Sequence, residues 1–466
     1  MPGLCKLIPP FRFIESVGHT EFLKEFTMKL RILPLTLALT AVLAGTAQAQ
    51  SLVQLYETAK GYDATYKAAQ SQYQANLAKA EQAKALMRPT AGLGAAVSET
   101  DFNNQTGTNA DARFGSRSAT LSASQPLFRP ANLAGYKQGL KQAGLAQAQL
   151  KAAEQDLIVR VSQAYFEVLT AQESLAFVKA QKSAVSEQLA AAKRNFEVGT
   201  STITDTREAQ ARFDLVTAQE IAADNDLRVK KLALDQSVGT QNAQPQALKP
   251  GAVLNAAIGA DAEAWVQQAA EQSPAIEQAR VGLEVAQLET EKAKAGHMPT
   301  LDLNASYGGT RFRGDPSPNS RVNNNTTTIG LAFNLPLYAG HATQNRIQET
   351  VSLEEKARND LDAAQRTVAQ TTRTAFFGVQ SGLGQVKALE AAEASSQSAL
   401  DANKLGYQVG VRINIDVLNS QSQLFQTKRD LAKARYDVLL GQLKLKQAAG
   451  VLKVEDVQTL NGLFGR

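Results

Sequence analysis

The chain has 466 residues, 44% hydrophobic, 20% charged and only 6% aromatic, with a net charge of +5. A composition without biased tracts is not that of a disordered chain, and so small a positive charge without a clustered basic face excludes a nucleic-acid binder. One cysteine, Cys5, and three histidines, His19, His297 and His341, exclude a disulfide scaffold and leave no basis for a metal centre or a cofactor.

Residues 28–49 read as a secretory signal peptide. Lys29 and Arg31 supply the positive start, Ile32 to Leu43 the apolar stretch, and Ala47-Gln48-Ala49 a cleavage signal that places the cut between Ala49 and Gln50. Residues 1–27 are then expected to be an upstream extension. A mature chain starting near Gln50 has no cysteine for a lipid anchor. No later stretch approaches the ~18 consecutive apolar residues of a spanning helix, so any membrane passage must be made by strands.

From there the sequence is written twice, at an offset of about 210 residues. Arg88-Pro89-Thr90 returns as Met298-Pro299-Thr300, and Gln125-Pro126-Leu127-Phe128 as Leu335-Pro336-Leu337-Tyr338. Phe196-Glu197-Val198-Gly199 answers Tyr407-Gln408-Val409-Gly410. The expected organisation is a first repeat over 50–239, a linker over 240–260 broken by Pro245 and Pro250, a second repeat over 261–450 and a tail over 451–466. Within each repeat the order is the same: a helical stretch (51–88, 261–297), a proline-bounded Gly/Ser/Thr/Asn-rich stretch (89–129, 299–339), a very long helix (130–198, 340–409), a Val-Gly turn, and a further helix (203–239, 413–450).

The long helices carry apolar residues at a and d positions. Leu150, Leu157, Val161, Val168, Leu175, Val178, Val185, Leu189, Ala192 and Phe196 form one series. Leu361, Val368, Val379, Val386, Leu400 and Tyr407 keep the same register in the second repeat, and Val417, Leu424, Leu431, Val438 and Leu445 recur at sevens. A sustained 3.5 period predicts antiparallel coiled-coil packing. A helix of roughly 70 residues at ~1.5 Å each is on the order of 100 Å long, the wall of a tube or a rod.

The proline-bounded stretches alternate instead. Thr300 to Tyr307 and Thr328 to Leu335 switch apolar and polar residue by residue, and Arg117 to Ser124 does so more weakly. They predict four strands of about 9–11 residues, the length of a tilted membrane strand, joined in pairs by loops over 102–116 and 313–324. The alternative is a pair of surface hairpins capping a coiled coil; the export signal and the duplication favour the membrane. Four strands cannot close in lipid, so the chain must oligomerise. Two copies would give an eight-stranded barrel filled by side chains, and three a twelve-stranded one wide enough for water.

This order, with Phe196-Glu-Val-Gly-Thr-Ser-Thr-Ile-Thr-Asp205 and Tyr407-Gln-Val-Gly-Val-Arg-Ile-Asn-Ile-Asp-Val-Leu418 at the turns, resembles the TolC family of outer membrane channels over about residues 51–450. The resemblance implies an α+β membrane protein: a homotrimer whose four strands per chain make a twelve-stranded barrel in outer membrane lipid, joined to a periplasmic α-helical barrel. The linker and tail would form a belt around it. It also implies a passive exit duct for efflux or type I secretion, working with a periplasmic adaptor protein and an inner-membrane transporter of the ABC or RND type.

Residue by residue, the family's gate maps onto Thr204 and Asp205 on one hairpin and Tyr407 and Arg412 on the other, with Asp205–Tyr407 and Arg412–Thr204 links holding the closed state. Asp416 matches a carboxylate at the entrance constriction. Asn419 stands where the family carries a second acidic ring, which predicts weaker cation selectivity and weaker divalent block. Gly199 and Gly410 would sit at the turns that meet the adaptor. Other readings are an exported coiled-coil structural protein or an adaptor, though an adaptor carries one such hairpin rather than two. No nucleophile elbow, phosphate loop or metal-ligand spacing supports an enzyme.

Overall fold

The computed structural model describes residues 50–102, 112–249, 259, 261–314 and 323–465. The signal peptide, Ala49 and residues 1–27 lie outside them, as do the middles of both hairpin loops and most of the linker beyond Lys249.

The first helical stretch is two helices, α1 (Leu52–Tyr62) and α2 (Ala64–Ala85). The break is at Asp63, whose carboxylate accepts from the Tyr66 amide at 2.7 Å and caps α2. Strands β1 (Thr90–Phe102) and β2 (Ala112–Phe128) follow, then α3 (Pro130–Glu197) with a proline in its first turn, and α4 (Ile203–Val238). The second helical stretch likewise splits, into α5 (Ala262–Gln272) and α6 (Pro274–Lys294). Pro274 lacks an amide hydrogen and holds Ser273 extended. A short 3₁₀ turn leads to β3 (Thr300–Gly314) and β4 (Asn324–Asn334), then α7 (Ala342–Gln408), α8 (Asn414–Ala448) and a tail helix, α9 (Val454–Asn461).

The two halves present matched elements: α3 has 68 residues and α7 has 67, α4 has 36 and α8 has 35. The heptad positions do what their period predicts. Val417, Leu424, Leu431, Val438 and Leu445 are all buried, as are Leu157, Val161, Val168, Val178 and Val185. Phe196 departs from the series and is 44% exposed, because it lies in the last turn of α3, where the facing helices run out.

Near the Val-Gly turns the helices lie side by side in the order α4–α3–α8–α7; toward the sheet the order is α2–α3–α6–α7. α4 and α7 are thus margins, and both carry uncovered apolar side chains: Leu215, Ile221 and Leu232 on α4, Val351, Leu353 and Phe377 on α7. The sheet repeats this openness. Its four antiparallel strands run in the order β1-β2-β3-β4, leaving β1 and β4 as edges.

The strands have 13, 17, 15 and 11 residues, longer on the whole than the predicted 9–11. Residues 112–116, expected in a loop, are laddered: Ser116 pairs with Ser98 on one side and Phe312 on the other. At the opposite end a bulge between Pro126 and Phe128 ends the regular ladder. Beside it the Arg129 guanidinium grips Asp302 with two bonds, at 2.8 and 2.6 Å, tying the start of α3 to β3.

The largest core lies mid-way along the helices. Leu52, Leu55 and Tyr56 of α1 pack with Tyr165, Phe166 and Leu169 of α3, Tyr436 and Leu439 of α8, and Leu460 and Phe464 of the tail. The linker and tail meet here through the Leu248–Phe464 bridge, and Gln50 is held by a bridge to Pro245.

Candidate functional site

Two places in this fold have more to do than pack. The first is the sheet, whose two faces differ in chemistry. Alternation puts Leu93 and Val97 of β1, Leu121 of β2, Leu303 and Tyr307 of β3, and Ile329, Leu331 and Phe333 of β4 on one face. They are exposed, Leu93 by 77% and Ile329 by 75%. The other face carries Ser118, Thr120, Ser122, Asn304, Ser306 and Thr328, with Ser124 Oγ donating to Asn304 Oδ1 at 2.8 Å. An apolar face that no part of the described chain covers, backed by a polar one of small residues, is the pattern of a strand between lipid and water. No described helix is long and apolar enough to cross a membrane.

The second place is the pair of helix turns. Both are built alike. Gly199 and Gly410 adopt φ of +79° and +78°, and the next amides, Thr200 and Val411, reach back to the carbonyls of Asn195 and Gly406 at 2.8 and 2.9 Å. These are Schellman closures, which need the left-handed conformation that glycine adopts without strain. Beyond them the turns differ. Thr202 and Asp205 form a reciprocal capping box at the start of α4. The Asp205 carboxylate accepts from Ser201 Oγ at 2.7 Å, Thr202 Oγ1 at 2.8 Å and the Thr202 amide at 3.0 Å. Partial burial alone would raise its pKa, but these donors outweigh that and hold it below the ordinary carboxylate range. At the start of α8, Ile413 offers no side-chain cap, and Arg412 Nη1 stands 3.7 Å from Asp416 Oδ2. The Arg412 stem passes over Gly406, where a Cβ would lie 2.7 Å from Arg412 Cγ.

The expected gate links are not formed within the chain. Asp205 is occupied by its own helix cap rather than by Tyr407, Thr204 is exposed, and Arg412 faces Asp416 instead of Thr204. Near the turns, three other hydrogen bonds among the described residues join the hairpins. Asn195 Nδ2 donates to Tyr407 Oη at 3.3 Å, Gln188 Nε2 donates to Asn414 Oδ1, and Arg212 Nη2 donates to Asn419 Oδ1 at 2.6 Å.

Asn195, Gln188 and Gln181 step back along α3 by one heptad each, while Tyr407, Asn414 and Gln421 step forward by the same interval. Asn195–Tyr407, at the end of α7, and Gln188–Asn414, at the start of α8, are hydrogen-bonded, and Gln181 and Gln421 extend this antiparallel seam as neutral polar side chains along α3 and α8. Asn414, Gln181 and Gln421 are all at most 5% exposed. Among the described residues Gln181 Oε1 and Asn414 Nδ2 have no partner, so the seam is only partly satisfied. The heptad spacing of Gln181, Gln188 and Asn195 was the available signal, and it carries no charge.

The family model described as outer membrane efflux protein matches residues 42–240 and 265–451. The outer membrane protein TolC of Vibrio cholerae is 32% identical over 92% of this chain and 98% of its own length. The alkaline protease secretion protein AprF of Pseudomonas aeruginosa is 31% identical over 76% of this chain and 74% of its own. Among solved structures, the outer membrane protein VceC of Vibrio cholerae superposes with a TM-score of 0.73 at 20% identity, over 86% of this chain and 96% of that one.

Proposed function

The chain belongs to the outer membrane efflux protein family, and from that premise we propose how one chain becomes a duct: three copies close a twelve-stranded barrel, continued into the periplasm by their helices. The protein resides in the outer membrane and is an exit duct for efflux or type I secretion, not an enzyme. The observation that carries the trimer is the set of open margins. β1 and β4 have unpaired edges, and α4 and α7 carry uncovered apolar residues at the margins of the helical layer. Lipid supplies no hydrogen-bond partners to strand edges, so the edges must find other copies. Twelve strands leave room for water against the polar face, whereas eight would be filled. The matched lengths of the two halves and the two ranges of the family match support an internal duplication.

The turns form the periplasmic entrance. Its closed state is held by the amide seam and by Arg212–Asn419, with Thr204, Asp205, Tyr407 and Arg412 available to re-pair as the hairpins move. A buried seam with two orphaned polar atoms is weak, since each costs about 1–3 kcal/mol, and a weak seam is one that can part. Asp416 of three chains gives a single acidic ring, favouring cations modestly because Asn419 adds no second one. Val198, Val409 and Val411 stand exposed around Gly199 and Gly410, a surface for a periplasmic adaptor that links the duct to an ABC or RND transporter. The linker over 240–260 and the tail form the belt.

Planar bilayers containing the purified assembly test this reading. Ohmic conductance with a small cation preference is expected, and Asp416→Asn should abolish the preference. A folded membrane assembly that conducts neither as wild type nor with the seam residues replaced by alanine would overturn it.

A further inference from the structure

The apolar face of the sheet changes character toward the hairpin ends. Register sets Val97, Arg117 and Arg311 side by side across β1, β2 and β3, and alternation adds Arg313, two residues beyond Arg311, and Arg113, four residues from Arg117, to the same face toward the hairpin ends. All four guanidinium groups are exposed. Two acids share the face. Glu99 accepts from Arg113 Nε at 2.9 Å, and Asp101 lies directly opposite Arg113. Among the described residues no carboxylate is within ion-pair reach of Arg117, Arg311 or Arg313. Arg117 and Arg311 are directly opposed, so their Cα atoms are about 5 Å apart. Like charges in that relation are destabilising, and the described fold supplies nothing to offset them.

We propose that Arg117, Arg311 and Arg313 bind the phosphate groups of a phosphorylated glycolipid in the outer leaflet, with Arg113 held in place by Glu99. This rests on the reading that the apolar face meets lipid. Three observations then converge on a lipid phosphate. The helices leave the sheet at its other end, so the hairpin ends lie on the side away from the periplasm. The arginines begin where the apolar residues stop, at Val97 and Tyr307, which is headgroup depth. Arginine costs least on a lipid-facing strand near the interface, where its stem lies along acyl chain and its planar fork matches phosphate oxygens. One phosphate between two opposed guanidinium groups turns a repulsion into a pair of charge-assisted bonds.

The test is native mass spectrometry of the detergent-solubilised assembly incubated with bis-phosphorylated lipid A or with the same lipid dephosphorylated. The wild type should retain the phosphorylated lipid. The triple variant Arg117→Gln, Arg311→Gln, Arg313→Gln should retain it at least about tenfold more weakly, a factor that one charge-assisted hydrogen bond can supply. Arg117→Lys with Arg311→Lys, which keeps both charges without the fork, should fall between. The dephosphorylated lipid should bind all three proteins equally weakly, and millimolar inorganic phosphate should not displace the phosphorylated one.

Equal retention by wild type and triple variant, or retention indifferent to the phosphates, would overturn the proposal. Displacement by inorganic phosphate would also overturn it, leaving a free-anion site. Heat resistance of the lipid-free variants should equal or exceed that of the wild type, since a like-charge pair has gone. If the wild type were a water-soluble monomer, the barrel would have failed; if it assembled in membranes without holding the lipid, this inference alone would have failed.

Discussion

The mid-helix core and the sheet were built by opposite strategies. The core gathers segments from α1, α3, the linker, α8 and the tail, and buries its aromatic rings completely. Tyr165 meets Phe464 edge-on at 5.6 Å, Phe166 stacks on Tyr436 at 6.0 Å, and Tyr165 Oη both donates to the Gln246 carbonyl and accepts from its amide. The sheet buries almost nothing: every residue of β4 is exposed. One chain suffices to finish the core, whereas the sheet is left with an uncovered apolar face and two open edges, which the proposed assembly would close with lipid and neighbouring copies. Folding and assembly therefore draw on different residues, and variants should separate them.

The largest effect is expected at the core. Phe166→Ala should cost about 3–5 kcal/mol, abolishing both the folded core and the assembly, as read by chemical unfolding and by loss of protein from the membrane fraction. Leu331→Arg, on the apolar face of β4, should cost about 2–4 kcal/mol in the membrane alone. Its helical core should still unfold at the wild-type denaturant concentration, and unfolding of both together would erase the distinction. Smaller again is the seam. Gln188→Ala with Asn195→Ala should weaken closure by about 1–2 kcal/mol, roughly a tenfold shift toward the open state seen as higher mean conductance. Gln188→Leu with Asn195→Leu should act in the reverse direction by giving the heptad seam apolar side chains.

The smallest expected effect depends on pH. The Arg160 guanidinium, 2.9 Å from Asp63, and the Tyr66 amide hold the Asp63 carboxyl below its ordinary value of 3.8 despite partial burial. A carboxyl depressed on folding adds stability above its unfolded pKa and loses it as pH falls through the folded value. Asp63→Asn keeps the helix cap and loses the charge pair. It should therefore be about 1 kcal/mol less stable than wild type near neutrality, with the gap narrowing as urea unfolding is repeated below pH 4.

These contrasts track what was legible in the sequence. Helix packing was, because heptads report directly on burial: Val417 through Leu445 are inside, and Gly199 and Gly410 turn where their neighbours' period stops. The breaks at Asp63 and Ser273 were hidden inside helix-favouring stretches, where one capping carboxylate or one proline decides. Strand ends were hidden because Gly115 and Ser116 suit a loop and a water-facing strand equally; only the ladder to β1 and β3 distinguishes them. The contacts that join the hairpins within one chain were hidden for a chemical reason. The charge of Asp205 goes to capping its own helix, and within one chain the hairpins are joined through amides, a tyrosine hydroxyl and one arginine, Arg212, rather than through paired opposite charges. The heptad spacing of Gln181, Gln188 and Asn195 placed them on one stripe of α3, but polar residues on such a stripe read as solvated until a partner stripe is seen.

The central claim is that the open margins of one chain are closed by two more. Its most direct test is the protein-only mass of the mature chain purified in detergent from the outer membrane fraction. Three chains per particle is the predicted result. A water-soluble monomer, or a particle of two chains, would contradict it.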